Sequence, residues 1–131
     1  MADENGIFIG GWHAESIADF QALKTLELRN CGLERLHLPG LPALKKLVVS
    51  GNHLTTLPAE AAAFVRLRDL NLSLNVFEFV PAVVFELQAL ENLDLSSNRL
   101  AKLDDRIVQL NVLRRLDLLL NNDLTELPEQ L

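Results

Sequence analysis

Cysteine, tyrosine and tryptophan are nearly absent from this chain. Cys31 is its single cysteine, and the chain has one tryptophan and no tyrosine. A lone cysteine cannot form a disulfide within the chain, and cysteine-rich end caps cannot be built from it. The composition therefore favours a reducing compartment, and we expect the cytoplasm. An effector protein that is exported without a cleavable signal would have the same composition.

Positive charge and long apolar runs are also scarce. The formal net charge is −6. Proteins that bind nucleic acids present a basic surface to the phosphates, so we expect no nucleic-acid partner. The apolar stretch at residues 7–12 is too short for a signal-peptide core or a membrane span, and we expect no association with a membrane.

The residue patterns of common catalytic and metal sites are missing. The chain contains no glycine-rich phosphate loop, no Gly-x-Ser-x-Gly turn, no His-Glu-x-x-His helix and no paired cysteines. His13, His37 and His53 are too irregularly spaced to predict a shared site. We therefore expect no catalysis, no cofactor and no metal.

One phrase of eleven residues recurs five times. It reads Leu-x-x-Leu-x-Leu-x-x-Asn-x-Leu with small departures, and successive copies start 21, 23, 23 and 23 residues apart. The copies begin at Leu23, Leu44, Leu67, Leu90 and Leu113. In each copy two apolar residues stand two positions apart, as Leu70 and Leu72 do, which is the period of a β-strand. The pattern predicts a parallel sheet, with the apolar pairs in the core and the residue between them facing solvent.

Parallel strands need crossover segments between them. An apolar residue stands three positions before each phrase, at Phe20, Leu41, Phe64, Leu87 and Leu110. Four crossovers have another three positions earlier, at Ile17, Ala61, Val84 and Ile107. This spacing predicts a helical or 3₁₀ turn on the convex side of the sheet. Asp104 and Asp105 precede the last turn, where we expect them to cap its amino end rather than bind a metal.

The ninth position of the phrase forms a column through the repeats. Its members are Cys31, Asn52, Asn75, Asn98 and Asn121. An asparagine amide can both donate to and accept from backbone groups where each strand bends into the interior, and an unpaired buried group costs about 1 to 3 kcal/mol. We expect a structural ladder of asparagines, in which Cys31 is a weakly bonding member and not a nucleophile.

The five phrases resemble the leucine-rich repeat family over residues 23–131, with Leu57-Pro58, Val80-Pro81 and Leu127-Pro128 closing three of them. The Leu-Pro-x-Leu-Pro run at residues 38–42 is similar to the cytosolic and bacterial subclasses. The resemblance implies an α/β fold, a right-handed solenoid with a parallel sheet on the concave face and short helical or 3₁₀ crossovers on the convex face. We expect one domain over residues 1–131, with a cap and half repeat in residues 1–22 and five repeats in residues 23–131.

The two ends of the stack differ in sequence. Ile17 and Phe20 occupy the apolar positions of a crossover, and we expect residues 7–13 with Trp12 to pack over the first coil as a cap. At the other end no capping segment follows residue 127, so we expect an open last coil. Such a coil suits a fragment of a longer repeat protein, or a short form that is covered by a partner or by a second copy of the chain.

Candidate partner-binding residues follow from the strand phase, because equivalent residues of stacked strands lie side by side roughly 4.8 Å apart. The outward positions include Lys46, Val48, Asp69, Asn71, Asn92, Asp94, Arg115 and Asp117. Leu74, Leu119 and Leu120 are apolar at positions where the phrase allows any residue, and Phe79 replaces polar residues at an edge. We expect these side chains to anchor a partner. Leu119 and Leu120 have an alternative role, which is packing against a further repeat.

The mixed charge of these positions favours a polar protein or peptide partner. We therefore expect a cytoplasmic protein-interaction module of the scaffold or signalling type. The alternative is the substrate-recognition domain of a larger protein, since the chain also resembles the repeat region of bacterial effector ubiquitin ligases without any part of their catalytic domain. The outward face of five strands covers roughly 350 Å², and a standard interface uses about 800 Å² per partner. A complex must then include the loops at one rim, be weak, or involve more repeats.

Overall fold

The structure is a computed structural model that describes residues 21–129. The half repeat with Ile17 and Phe20, the cap around Trp12, and residues 130 and 131 therefore lie outside the described residues. Within residues 21–129 no helix is long and apolar enough to cross a membrane.

Five short parallel strands form one sheet, and they lie in it in chain order. They are β1 (Thr25–Glu27), β2 (Lys46–Val48), β3 (Asp69–Asn71), β4 (Asn92–Asp94) and β5 (Arg115–Asp117). Each strand takes positions three to five of the eleven-residue phrase, so its middle residue is the first leucine of an apolar pair. The register aligns these middle residues in a single row, Leu26, Leu47, Leu70, Leu93 and Leu116. The predicted strands, their direction and their phase are confirmed.

Short 3₁₀ helices cross back from one strand to the next. In the described part of the chain they span Ala59–Ala63, Ala82–Glu86 and Asp105–Gln109. Pro58 and Pro81 stand just before the first two, where the fixed φ of proline suits the start of a helical turn and its missing N–H removes no bond. The crossover from β1 to β2 is two residues shorter and passes through residues 38–42 without a helix.

The core lies between the sheet and these crossovers. The apolar crossover residues predicted from the sequence are buried wherever the structure describes them, and they include Ala61, Val84 and Ile107 from the helices. They pack against the paired leucines of the strands, and Phe64 and Phe77 are the largest fully buried side chains. Burial falls off in β5, the last strand of the sheet, where Leu116 is half-buried. Each coil therefore shares its core with the coils on either side.

The asparagine ladder joins consecutive coils. Asn75 Oδ1 accepts the N–H of Leu54 at 3.0 Å, and Asn75 Nδ2 donates to the carbonyls of Leu72 at 3.1 Å and Ser73 at 3.1 Å. Nδ2 also donates to the carbonyl of Val49 in the preceding coil at 3.0 Å. The other three asparagines are buried and make equivalent bonds: Asn52, Asn98 and Asn121. The ladder is present as the sequence indicated.

Cys31 begins the ladder differently. Its thiol donates to the carbonyl of Arg29, with Sγ and the oxygen 3.2 Å apart. This bond is equivalent to the one from Asn75 to the carbonyl of Ser73, because each reaches the residue two positions earlier. Its own N–H donates to Asn52 Oδ1. Unlike the four asparagines, Cys31 is exposed. A thiol can therefore occupy this position, but with one weak bond where the amide makes several.

Asp104 caps the third helix, and this predicted role is confirmed. Its side chain accepts the N–H of Arg106 at 2.8 Å, and the Arg106 guanidinium pairs with it at 3.0 Å. The side-chain and backbone hydrogen bonds from Arg106 lower the pKa of Asp104 from 3.8 to about 2. The same guanidinium lies 4.7 Å from the centre of the Phe85 ring, which ties the cap to the preceding helix.

Asp104→Ala is expected to lower the free energy of unfolding by about 1 kcal/mol at pH 7, because the helix loses its cap. The folded pKa is depressed, so the contribution of the carboxylate is complete above the ordinary value of 3.8 and is lost as the pH falls towards 2. Urea unfolding of both proteins at pH 7 and pH 3 measures the difference, which should narrow at pH 3. Asp105→Ala is the matched control, since Asp104 makes the capping bonds. An equal difference at both pH values would contradict the ionic role of Asp104.

Candidate functional site

The outward residues of the five strands form one polar surface, which we call the sheet face. In the register it consists of two rows: Thr25, Lys46, Asp69, Asn92 and Arg115, and Glu27, Val48, Asn71, Asp94 and Asp117. A shallow groove of about 380 Å³ runs over it. The groove is lined by all eight candidate binding residues of the strands, whereas the apolar candidates Leu74, Leu119, Leu120 and Phe79 do not line it. Arg29, which was not among those candidates, also lines it.

Charge is distributed unevenly over the sheet face. Arg29 pairs with Glu27 at 2.9 Å and reaches Ser50 of the next coil at 3.4 Å, and Lys46 lies beside them, exposed. Acidic residues dominate towards the other end, where Asp94 and Asp117 are partners in the register. A partner therefore meets a cationic side chain at β2 and carboxylates at β4 and β5.

A side-chain hydrogen bond joins two strands at the centre of the sheet face. Asn92 Nδ2 donates to Asp69 Oδ1 across the pair β3 and β4. Both side chains are partly buried and belong to the groove. This bond uses one oxygen of Asp69 and joins β3 to β4 through their side chains.

The acidic side chains are held in place by backbone groups two residues further on. Asp94 Oδ1 accepts the N–H of Ser96 at 2.9 Å and its hydroxyl at 2.7 Å. Asp117 Oδ1 accepts the N–H of Leu119 at 3.0 Å, and Asn71 makes the same bond to Ser73. Asx turns of this kind fix the side chain towards the end of its strand. The sequence signal for them is an aspartate or asparagine at the fifth position of the phrase, which is followed by a serine two positions later in the third and fourth copies.

One prediction about this surface, the outward position of Val48, is wrong. The side chain of Val48 is 1% exposed and does not face solvent. In the register it stands between Glu27 and Asn71, whose longer side chains flank it. Val48 therefore shapes the floor of the groove and offers little area to a partner.

A second surface follows the carboxyl ends of the strands, and we call it the rim. It is formed by the eighth position of each phrase: Asn30, Gly51, Leu74, Ser97 and Leu120. All five have a positive φ, between 53° and 71°. The repeat pattern does not predict this conformation, although asparagine and glycine, the residues that adopt it most easily, occupy two of the five positions.

Leucine is an unexpected residue at these rim positions. A left-handed conformation costs a residue with a side chain roughly 1 to 2 kcal/mol, and burial does not offset it here. Leu74 is 58% exposed and Leu120 is 68% exposed, while Leu119 beside it is 70% exposed. The predicted exposure of these anchor candidates is confirmed.

Phe79 lies apart from both surfaces. It stands two residues before Pro81, where a crossover begins, and its side chain is 73% exposed. Thr56 and Lys102 lie beside it in a shallow depression. The structure thus separates Phe79 from the other candidates, which share the sheet face and the rim.

Metal binding has no support in the described residues, since residues 21–129 contain no group of three or more His, Cys, Asp or Glu side chains that could hold an ion. Asp94 and Asp117 are neighbours in one row, and Asp69 lies in the other row. What this surface can do chemically is form ion pairs and hydrogen bonds with an extended or helical partner.

Comparison with known proteins finds relatives among solved structures. No protein-family description matches the chain, and no curated protein matches it. The chain is similar to a leucine-rich repeat protein of Leptospira interrogans, with 26% identity over 87% of this chain and 35% of that one and a TM-score of 0.58. It is similar to the BIR2 ectodomain of Arabidopsis thaliana, with 31% identity over 69% of this chain and 50% of that one and a TM-score of 0.55.

A third solved structure contains a bound partner. It is the plant peptide hormone receptor RGFR1 in complex with RGF2, with 29% identity over 63% of this chain and a TM-score of 0.52. The chain spans only 15% of that receptor's length, 35% of the Leptospira protein and 50% of the BIR2 ectodomain. The similarity thus lies in a stack of coils that forms part of each of these chains.

Proposed function

This chain is a leucine-rich repeat protein, and on that basis we propose that its sheet face binds another protein or a peptide. The observation that carries the proposal is the alignment of ten residues in two rows, eight of which line one groove. Stacked coils produce such rows without any requirement of the core, so their polar and charged residues are free to serve recognition. The complex of the receptor RGFR1 with RGF2 gives a precedent for a peptide partner.

The chemistry of the surface supports a binding role without catalysis. Its charged groups are spread over several strands, and they match the distributed ion pairs of a protein interface better than the convergent groups of an active site. The sheet face offers roughly 350 Å², against about 800 Å² for each partner in a standard interface. We therefore expect modest affinity, or a partner that also reaches the rim.

Lys46→Glu is expected to weaken binding at least tenfold. Peptides selected from a random, unstructured phage-displayed library against the wild-type protein serve as probes, and their dissociation constants are measured by biolayer interferometry. The reversal of charge at an exposed groove residue opposes the acidic groups that the wild-type lysine attracts.

Arg66→Glu is the matched control, because it makes the same charge change at an exposed residue outside the groove. Its binding constants should stay within about twofold of wild type, an effect of well under 1 kcal/mol. Equal losses for Lys46→Glu and Arg66→Glu would indicate nonspecific electrostatic attraction, and they would remove the sheet face as the binding surface.

We further propose a scaffold or signalling role in the cytoplasm, which the single cysteine supports. A second proposal is that the chain is the substrate-recognition part of a larger protein whose catalytic part lies outside these residues. The greater length of its solved relatives supports it. An immunoblot of the native cells distinguishes the two, since the chain alone has a mass of 14.6 kDa and the second proposal requires a larger band.

A further inference from the structure

The rim carries an exposed apolar feature that stacking does not explain. Leu74 lies in the third of five coils, with a strand on each side of its own, yet more than half of its side chain is exposed. Its neighbours along the rim are Gly51 and Ser97, which are small. Leu74 therefore projects as an isolated apolar knob, and Leu120 is a second one two coils away.

The distance between the two knobs suits a helix. Two strand spacings separate Leu74 from Leu120, which is about 10 Å. In an α-helix the residues i and i+7 lie on one face about 10.5 Å apart, whereas side chains on one face of an extended chain are about 6.7 or 13 Å apart. Ser97 lies between the knobs and leaves room for the intervening turn of the helix.

The carboxylates next to the rim determine the charge of such a partner. The Asx turns direct Asp94 and Asp117 towards the rim, and within residues 21–129 neither carboxylate has an ion-pair partner. Asp123 adds an exposed acidic group in the last coil. The opposing charges are Arg99, which is close to Ser97 in the chain, and Arg115, which lines the groove with Asp94 and Asp117. Apolar knobs flanked by excess negative charge complement an apolar stripe flanked by lysine or arginine.

We propose that the rim binds an amphipathic, basic helix of a partner protein. Its apolar residues at i and i+7 contact Leu74 and Leu120, and its lysine or arginine side chains pair with Asp94 and Asp117. This inference rests on the proposed function, since it describes how a protein partner engages the edge of the sheet face. It also supplies the additional contact area that the sheet face lacks.

The test uses a phage-displayed library of sixteen-residue helices. Leucine is fixed at i, i+4 and i+7, and the flanking positions vary among Lys, Glu, Ala and Gln. Selection on the wild-type protein is expected to enrich lysine over glutamate at the flanks. An enriched peptide, made synthetically, should bind the double variant Leu74→Ser, Leu120→Ser at least tenfold more weakly than wild type. Serine is tolerated there, since Ser97 occupies the same slot.

Two matched variants control for folding and charge. The substitutions Val65→Ser and Val112→Ser remove exposed apolar side chains from other parts of the surface and should leave the affinity unchanged. Asp94→Asn with Asp117→Asn removes both charges while keeping the turn, because Asn71 makes the same turn in β3. We expect this double variant to lose affinity at least fivefold and to lose the salt dependence of binding.

Four outcomes would overturn the rim proposal. They are no enrichment of any helix, enrichment of glutamate, binding that the rim variants do not weaken, and a dimer of the unliganded protein that Leu74→Ser with Leu120→Ser converts to a monomer in sedimentation. The last result would assign the rim to a second copy of the chain. The random-library peptides of the Lys46→Glu experiment test the sheet face separately, so it can remain the binding surface even if the rim proposal fails.

Discussion

Phe77→Ala is expected to lower the free energy of unfolding by about 3 to 5 kcal/mol, the cost typical of truncating a fully buried phenylalanine. The side chain has no exposed surface and belongs to the single core that runs through the coils. Its backbone N–H donates to Asn98 Oδ1 at 3.0 Å, a bond that alanine can keep. The loss therefore measures the cavity and the lost contacts. Urea unfolding followed by circular dichroism gives the difference.

Phe79→Ala is the control for this experiment. It removes the same side chain two residues along the chain, where 73% of it is exposed. We expect a change within about 0.5 kcal/mol, as for other surface substitutions. If both variants lost similar stability, the phase of the third coil would be wrong, because the structure places one ring inside and the other outside.

Asn75→Ala is expected to lower the free energy of unfolding by about 1 to 3 kcal/mol, because the buried N–H of Leu54 loses its partner. The variant leaves the N–H of Leu54 in the preceding coil unpaired. The carbonyls of Val49, Leu72 and Ser73 each lose one bond but keep another, from Asn52, Asn98 and Gly51 respectively. Thermal and urea unfolding measure the loss. The transition should stay cooperative if the coils unfold together.

Asn71→Ala is the matched control, since it removes the same amide from the sheet face. Asn71 accepts two bonds from Ser73, both partly accessible to water, so we expect a cost of about 1 kcal/mol or less. A loss at Asn71 equal to that at Asn75 would contradict the assignment of the ladder as the joint between coils.

The repeat period made most of the fold predictable. Leu70 and Leu72 stand two apart in a phrase whose copies recur every 21 or 23 residues, and such a pattern is compatible with stacked strands alone. The position of Asn75 follows from the same count, because an inward bend needs a group that both donates and accepts. At each of these positions the residue type suits both its own strand and the stacking of neighbouring coils, so the fold could be predicted from the sequence pattern.

The surface was less predictable than the core. The repeat period predicts which way a side chain points from its strand, but not how much of it solvent can reach. Val48 has the phase of an outward residue, yet its row neighbours cover it. The left-handed backbone at Leu74 was also not predicted, since leucine gives no sign of it, although the same conformation recurs at this position in every coil. Whether the candidate residues bind a partner depends on chemistry that lies outside the chain, and that assignment stays a prediction.

The ladder has a consequence for how a gene of this kind can change. Each asparagine bonds its own coil and the one before it, and coils from the second onward repeat at 23 residues. If 23 codons are duplicated or removed, starting at any point within a coil, each remaining asparagine can therefore still bond its own coil and the coil before it. Recombination can lengthen or shorten the protein by whole coils without creating a new fold. The shorter first coil shows where smaller changes are absorbed, since its two missing residues come from a crossover that has no helix.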